Sequence, residues 1–191
     1  MRLLIDIALA IVVATTIGFS TAWFAVEHGR LFGAETVGEW TAWPDAGGPD
    51  ADPYSVALLA RSGNVPLGAG EGLAFTASTD SDGDTLSGHC IYRLSGQTPS
   101  ARLWTLAAYD SQGRLIANAA RRYGFHSREI LRRPDGDLVI TVSPNVAPGN
   151  WLPSGRTDDM QLVLRLYDTP LTTATEFVNI DMPRIERVRC E

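Results

Sequence analysis

The chain has 191 residues and a mass of 20.7 kDa, enough for one domain of ordinary size, and a composition of 45% hydrophobic and 20% charged residues is typical of a globular protein. Its 16 basic and 22 acidic side chains leave a net charge of -6, which gives no general attraction to nucleic acid, so we expect no nucleic-acid partner. The sequence contains no lysine. This excludes a Walker-type phosphate loop, a Schiff-base enzyme and a kinase that depends on a catalytic lysine.

The amino terminus carries a long apolar segment. Residues 7–26 are apolar apart from three threonines and one serine. At 1.5 Å per helical residue this length spans a hydrocarbon layer of about 30 Å. We therefore predict one transmembrane helix through residues 7–26, which makes the membrane a partner of this segment.

A cleaved signal peptide is the alternative, because Arg2 gives a positive start and residues 20–22 resemble the small-x-small pattern before a cleavage site. Retention is favoured because the apolar run continues through Trp23 to Val26, where a cleaved peptide turns polar, and because Trp23 suits a membrane interface. Both interpretations imply export. We expect a single-pass protein of the inner membrane whose body faces the periplasm, although basic residues on both sides leave the orientation open by charge alone.

The two cysteines, Cys90 and Cys190, fit an exported chain. Two thiols are too few for a structural zinc site, and an even count in an oxidising compartment favours a disulfide. The bridge would tie the last residues to the middle of the body. Two buried free thiols are the alternative.

Three regions follow from the pattern of glycine, proline and apolar residues. Residues 1–26 are the anchor or signal segment. Residues 27–51 are predicted to be a membrane-proximal connector, because glycines and prolines interrupt any helical or strand period, although Trp40 and Trp43 could dock it on the body. Residues 52–191 are predicted to form a β-sandwich domain.

A short amphipathic helix is predicted over residues 52–62. Asp52 is suited to cap it, Pro53 suits its first turn, and Gly63 lies just past its end.

Beyond this helix the pattern changes to period two. The clearest strand is 160–167, in which four even-numbered apolar residues point to one face. Further strands are predicted at 72–78, 89–94, 102–109, 138–142 and 185–189. Several short strands without a long helix between them predict an all-β fold, an antiparallel two-sheet sandwich of jelly-roll type.

The acidic stretch with Asp80, Asp82 and Asp84 does not predict a calcium site. Gly83 stands at the fourth position of the loop instead of the sixth, and Ile91 stands where the twelfth-position glutamate belongs. A hairpin turn explains the segment without a metal.

Histidines are few, and His28, His89 and His126 show no metal-binding spacing, so we predict neither a metal site nor a cofactor. A Gly-x-Ser-x-Gly motif is also absent. This lowers the hydrolase interpretation without excluding it, because a catalytic triad can be assembled from scattered residues. No catalytic residue is assigned.

Several short motifs together carry a family resemblance. They are DPY at 52–54, GHCIY at 88–92, WTL leading to YD at 104–110, NAARRYGFHS at 118–127, GNWLP at 149–153 and LRLYD at 164–168. Roughly residues 50–190 thus resemble an uncharacterised bacterial domain-of-unknown-function family.

The resemblance implies a jelly-roll-like β-sandwich in the cell envelope, a recurring Asn-Trp-Leu-Pro loop with an upstream Arg-Tyr pair, and no established reaction. In that family the domain is often the carboxy-terminal half of a longer exported protein. This chain resembles the shorter version, which carries only a membrane segment. If the two modules share a binding site, this chain holds at most half of it.

Five residues of these motifs form a candidate ligand-binding site: Asn118, Arg122, Tyr123, Asn150 and Trp151. Aromatic plates beside amides and a guanidinium suit a sugar ring or an anionic group. The alternative is structural, with the tryptophan closing one end of the sandwich and the two asparagines satisfying loop backbone.

The leading functional hypothesis is a membrane-anchored envelope protein that binds a ligand or partner without chemistry, the partner being an envelope glycan, another anionic envelope component or a protein. One alternative is a hydrolase or lyase acting on envelope polysaccharide. The other is a structural assembly partner of another envelope protein.

Overall fold

The structure, a computed structural model, describes residues 2–28, 33–62, 65–68, 70–173, 177 and 180–190. Its helices are α1 (Arg2–His28) and α2 (Pro53–Ser62), with 3₁₀ turns at Pro44–Gly47 and Pro170–Thr173. Its strands are β1 (Glu35–Val37), β2 (Trp40–Ala42), β3 (Gly72–Ala77), β4 (Cys90–Gly96), β5 (Leu103–Asp110), β6 (Gly124–His126), β7 (Leu138–Ser143), β8 (Asn150–Pro153), β9 (Met160–Tyr167) and β10 (Arg184–Cys190).

The strands form two sheets. One has six strands in the order β1-β2-β3-β9-β5-β6, and the other has four in the order β10-β4-β7-β8. The predicted all-β fold of two sheets, with one long apolar helix and one short helix, is confirmed. One pair differs from the antiparallel prediction, because β8 runs parallel to β7. Strand β8 lies at the sheet edge and ends in Pro153, which has no N–H to donate, as suits an edge strand.

The central strand β9 shows how the sequence builds the core. Its residues Met160, Leu162, Leu164 and Leu166 are buried, as their two-residue period predicts. They pack among buried side chains of the four-stranded sheet, which include Tyr92, Leu94, Ile140 and Leu152. The intervening residues of β9 point to the outer face of the six-stranded sheet, where Gln161 and Arg165 are only partly covered.

The predicted connector contains two strands, which the sequence analysis did not anticipate. Strands β1 and β2 pair with each other, and β2 pairs with β3. Trp40 of β2 is fully buried, and its indole N–H donates a hydrogen bond of 2.7 Å to the carbonyl of Pro183. These strands have only three residues each, too few to show a two-residue period. The signal in the sequence was the tryptophan at position 40, which indicated that the connector docks on the body.

Helix α1 is long and apolar enough to cross a membrane, and none of its apolar stretch is buried against the rest of the protein. Its threonine hydroxyls are satisfied within the helix: Thr15 and Thr16 donate hydrogen bonds of 2.7 Å to the carbonyls of Ile11 and Val12, and Thr21 donates one of 2.9 Å to the carbonyl of Ile17. Such bonds remove the cost of placing a hydroxyl in hydrocarbon.

Helix α2 begins as predicted. The Asp52 carboxylate accepts hydrogen bonds from the N–H groups of Tyr54 at 2.9 Å and Ser55 at 3.0 Å. The hydroxyl and N–H of Ser55 contribute most to holding the pKa of the Asp52 carboxyl below its ordinary value. Near the other end, Arg61 pairs with Glu27 of α1, and its guanidinium carbon lies 4.8 Å from the centre of the Trp23 ring. Helix α2 is thereby attached to the carboxyl end of α1.

The disulfide prediction is confirmed, since Cys90 and Cys190 are bonded. The two residues lie opposite each other in the antiparallel pair of β4 and β10. The bridge therefore fastens the last strand of the chain to the four-stranded sheet.

We expect reduction or Cys190→Ser to lower the melting temperature and to free β10 first. The bridge closes a loop of 100 residues, which corresponds to about 4 to 5 kcal/mol of stabilisation in the chain-entropy account. The measurements are intact mass with and without reductant, and thermal unfolding of the full chain. A double Cys90→Ser, Cys190→Ser variant should be no less stable than either single variant. Labelling of both thiols in unreduced, denatured protein would contradict the bridge.

Candidate functional site

The five residues of the candidate ligand-binding site come from two segments that meet where the sheets end. Strand β6 is the last strand of the six-stranded sheet and β8 is the last strand of the four-stranded sheet. Arg122, just before β6, donates a hydrogen bond of 3.3 Å from Nη1 to the carbonyl of Trp151 in β8. Its guanidinium carbon lies 5.1 Å from the centre of the Phe125 ring. Arg122 and Trp151 are therefore neighbours across the two sheet edges.

Asn118 uses its amide to hold the turn before β6. Its Nδ2 donates to the carbonyls of Ile116 at 3.2 Å and Arg122 at 2.8 Å, and its Oδ1 accepts the N–H of Arg122 at 3.1 Å. Within this turn Arg121 has a φ of 52°, in the left-handed region. The side chain thus compensates a strained turn with three local hydrogen bonds.

Asn150 uses its amide to join β8 to the segment after β6 and to β7. It is 7% exposed, and its Oδ1 accepts the N–H of Leu131 at 2.9 Å. Its Nδ2 donates to the carbonyls of Leu131 at 2.7 Å and Val139 at 2.9 Å. The side chain therefore takes the place of a strand partner for Leu131, which lies in the segment after β6.

The aromatic members of the set differ in exposure. The indole N–H of Trp151 donates a hydrogen bond of 3.1 Å to the carbonyl of Ser143, and the ring is partly buried. The Tyr123 side chain is 42% exposed. The contacts of Asn118, Asn150 and Trp151 agree with the structural alternative, in which these residues hold loops and edges, and the ligand-binding role of the set stays a prediction.

A cavity of about 260 Å³ lies on the outer face of the six-stranded sheet, on strands β3, β9 and β5. We call it the sheet cavity. Its floor is formed by Ala74, Thr76, Tyr109, Gln161, Val163 and Arg165. Its cover is formed by Trp43, Pro44, Ala46, Leu59 and residues 65–67. The cover comes from the predicted connector, from α2 and from the segment that follows α2.

Arg165 is the one charged residue among the described residues that line this cavity. Its guanidinium carbon lies 5.2 Å from the centre of the Tyr109 ring, and its Nη1 donates a hydrogen bond of 2.9 Å to the Tyr109 hydroxyl. No carboxylate within the described parts of the chain forms an ion pair with it. The ring and its hydroxyl thus hold the guanidinium in place at the cavity, and this hydrogen bond uses one of its five donors.

The carboxylate next to Tyr109 in the chain is already paired. Asp110 contacts Arg114, with Oδ2 lying 2.9 Å from both Nε and Nη2. Hydrogen bonds from Arg114, above all from its backbone N–H, hold the pKa of the Asp110 carboxyl below its usual range. Asp110 therefore belongs to a turn and does not neutralise Arg165.

Sequence analysis missed the sheet cavity because the cover and floor are distant in the chain. One signal was present: Arg165 and Gln161 occupy interior positions of the most regular strand, on the face opposite the leucines. A charged residue at the centre of a strand that is paired on both sides indicates either solvent or a polar partner at that position.

The other groups weighed in the sequence serve the fold. The Oδ1 of Asp80 accepts the N–H groups of Asp82 and Asp84 at 3.1 and 3.0 Å. Its Oδ2 lies 2.9 Å from Nε of Arg187 without hydrogen-bond alignment, so the contact is a charge attraction. Across the described ranges, three or more His, Cys, Asp or Glu side chains nowhere form a group that could hold a metal ion.

The family follows from residues 71–171, which match the model described as "Protein of unknown function (DUF1214)". The chain belongs to the DUF1214 family. The predicted resemblance to an uncharacterised family is thus confirmed. The matched stretch of this DUF1214 chain contains β3 to β9 and hence the cavity floor, whereas α1, β1, β2, α2 and β10 lie outside it.

Two solved structures resemble the chain. The VPA0106 protein from Vibrio parahaemolyticus aligns with a TM-score of 0.58 and 24% identity, over 73% of this chain and 36% of that one. An uncharacterised protein from Burkholderia cenocepacia aligns with a TM-score of 0.45 and 21% identity, over 65% of this chain and 32% of that one. The first likeness supports the fold. The DUF1214 chain thus covers about a third of each of these proteins. No curated protein matches the sequence.

We expect Asn150→Ala to destabilise the protein by about 1 to 3 kcal/mol, because it removes three part-buried hydrogen bonds of an amide that is itself only 7% exposed. Asn118→Ala is the matched control: it also removes three hydrogen bonds, but from a more exposed turn where water replaces them. Denaturant unfolding of the full chain in detergent measures both. Equal losses for the two variants would contradict the role of Asn150 in joining β8 to the segment after β6.

Proposed function

We propose that this protein is a membrane-anchored binding module of the cell envelope, which holds a small molecule in the sheet cavity without converting it. The observation that carries the proposal is the sheet cavity itself, a partly open space of about 260 Å³ with a guanidinium held in its floor by Tyr109. Ligand sites in proteins combine apolar surface with a few placed polar groups, and the sheet cavity is lined by apolar residues together with Thr76, Tyr109, Gln161 and Arg165.

The lining favours binding over chemistry. The described lining residues include no histidine, cysteine, aspartate or glutamate. Groups that exchange protons near neutral pH are the ordinary general acids and bases, and a guanidinium stays protonated. The sheet cavity thus offers recognition through apolar side chains, neutral polar groups and one cation, without an acid–base pair in its described lining.

The anchor is the second part of the proposal. Helix α1 has the length and composition of a membrane span, and the contacts of Arg61 with Glu27 and Trp23 join it to α2, which forms part of the cavity cover. The disulfide between Cys90 and Cys190 suits an oxidising compartment. We therefore place the body on the periplasmic side of the inner membrane, with α1 retained as a single span.

The five-residue candidate ligand-binding site at the edges of the two sheets is proposed as a second binding surface. Arg122, Trp151 and the exposed Tyr123 lie at the edge formed by β6 and β8, and none of them lines the sheet cavity. Because both asparagine amides are used by the backbone there, recognition at this edge would depend on Tyr123 and the Trp151 ring.

We expect the mature chain to keep residues 1–26 and to stay in the membrane fraction after carbonate washing. Protease added to spheroplasts should digest the body, and protease added to inverted vesicles should leave it intact. A mature amino terminus near Trp23 would replace the anchor by a signal peptide, and the opposite protease pattern would place the body in the cytoplasm.

We expect Ala74→Phe to weaken ligand binding by about tenfold or more, a loss of about 1.4 kcal/mol or more in binding free energy, because the ring fills the sheet cavity. The probe is 8-anilinonaphthalene-1-sulfonate, an apolar anion that fluoresces in a dry site. It is titrated into the full chain in lipid nanodiscs, with empty nanodiscs subtracted.

Ile91→Phe is the control for this experiment, since Ile91 is partly exposed on β4 of the other sheet. It should leave the affinity near that of the unaltered chain. Equal affinities in all three proteins would show that the probe binds elsewhere and would contradict the sheet cavity as the site.

A further inference from the structure

The residues that line the sheet cavity indicate which class of small molecule it binds. This inference rests on the proposed function, in which the cavity is a ligand site. Arg165 is half-buried, and among the described residues its polar partner is the neutral hydroxyl of Tyr109. A partly desolvated cation without a counter-ion is unfavourable, and an anion that enters the cavity would supply two parallel hydrogen bonds to the guanidinium fork. The ligand group facing Arg165 should therefore be negatively charged.

The number of cationic side chains in the cavity lining limits the negative charge that the ligand can carry. The described lining holds no second arginine or histidine beside Arg165, and the chain contains no lysine. A phosphate group carries close to two negative charges and commonly binds several cationic or N–H donors. One planar guanidinium matches one carboxylate, which has a single charge and two coplanar oxygens.

The volume and the lining of the cavity limit the size and polarity of the part of the ligand that lies beyond its charged group. Trp43, Leu59, Pro66 and Val163 present apolar surface to the space. Its volume of about 260 Å³ lies just below the roughly 300 to 1,000 Å³ of sites for drug-sized ligands, which is too small for a lipid with two acyl chains. One short apolar chain fits this space.

The position of the cavity relative to α1 indicates an amphiphile. Leu59, in the cover, lies two residues from Arg61, about 3 Å along the helix axis. Arg61 contacts Trp23 and Glu27 at the end of the apolar helix, where a tryptophan suits the membrane interface. The cover of the cavity is thus built beside the membrane surface, where molecules with one chain and one charged end accumulate.

We infer that the sheet cavity binds a single-chain monocarboxylate, a fatty acid of medium length. Its carboxylate pairs with Arg165 beside Tyr109, and its chain lies between the outer face of β3 and β9 and the cover formed by Trp43 and Leu59. The pairing gives Arg165 the counter-ion that the described protein groups do not provide.

The test measures four probes by calorimetry on the full chain in phosphatidylcholine nanodiscs, with empty nanodiscs subtracted. Decanoate carries both the charge and the chain, decanol lacks the charge, acetate lacks the chain, and decyl phosphate replaces the carboxylate by a phosphate. We expect decanoate to bind one per chain and about tenfold or more tighter than decanol or acetate, the range of a charge-assisted hydrogen bond, and at least as tightly as decyl phosphate. Decanoate should also displace 8-anilinonaphthalene-1-sulfonate.

The variants separate charge from packing. Arg165→Gln should reduce decanoate affinity to that of decanol, and Arg165→Lys, which keeps the charge and loses the fork, should lie between. Arg93→Gln is the control, because Arg93 is an exposed arginine on β4 of the other sheet. Circular dichroism melting checks that each variant folds. If Arg165→Gln does not fold, decanoate binding is measured on Tyr109→Phe instead, which keeps the guanidinium and removes the hydroxyl that it contacts.

The outcomes distinguish the inference from the proposed function. If decanol equals decanoate, if acetate equals decanoate, or if decyl phosphate binds more tightly than decanoate, the monocarboxylate inference is wrong while the cavity remains a binding site. If decanoate binding is unaffected by both Arg165→Gln and Ala74→Phe, the site lies elsewhere. If none of the four probes nor 8-anilinonaphthalene-1-sulfonate binds, both the inference and the proposed function are wrong.

Discussion

Strand β9 is paired along its length with β3 on one side and with β5 on the other, and this double pairing determines what both faces of the six-stranded sheet present. Because successive side chains of a strand point to opposite faces, Leu164 and Leu166 enter the core while Val163 and Arg165 reach the outer face. A shift of one residue would exchange the two sets and bury a guanidinium among leucines, at a large desolvation cost. The register that builds the core thus also builds the floor of the sheet cavity.

The edges of the two sheets are held by polar side chains. Asn150 joins β8 to the segment after β6 with three hydrogen bonds, and Arg122 reaches the carbonyl of Trp151 from the other sheet. At the opposite edge, the pair of Asp80 and Arg187 accompanies the disulfide in fastening β10. Such contacts are strong where water is scarce, since a low local dielectric raises the cost of leaving any of these groups unpaired. Both motif asparagines, Asn118 and Asn150, thus make hydrogen bonds that hold loops and edges of the fold.

The sheet cavity combines one part of the chain that lies inside the stretch matching DUF1214 with one part that lies outside it. Its floor belongs to the stretch that matches DUF1214, and its cover is built by residues before position 71, on the segment that leads back to α1. The cover can therefore change the size and polarity of the cavity without altering the strand register of the floor. In this chain the cover also carries Arg61 and its contacts with α1, so the proposed ligand site and the proposed anchor are continuous in structure.

The sequence by itself determined the features that depend on local pattern or on composition. The alternation in β9 and β7, the cap at Asp52 and the even cysteine count led to correct predictions, because each depends on nearby residues or on simple counts. The apolar run at the amino terminus likewise predicted one long apolar helix. Only the tertiary structure decided the short strands β1 and β2, the parallel pairing of β8 and the use of the Asn150 amide. Three- and four-residue strands carry no readable period, and their pairing depends on which distant strand edge is open. The cavity around Arg165 likewise requires β3, β5 and β9 to lie side by side beneath α2, and this arrangement follows from long-range packing that no single segment encodes.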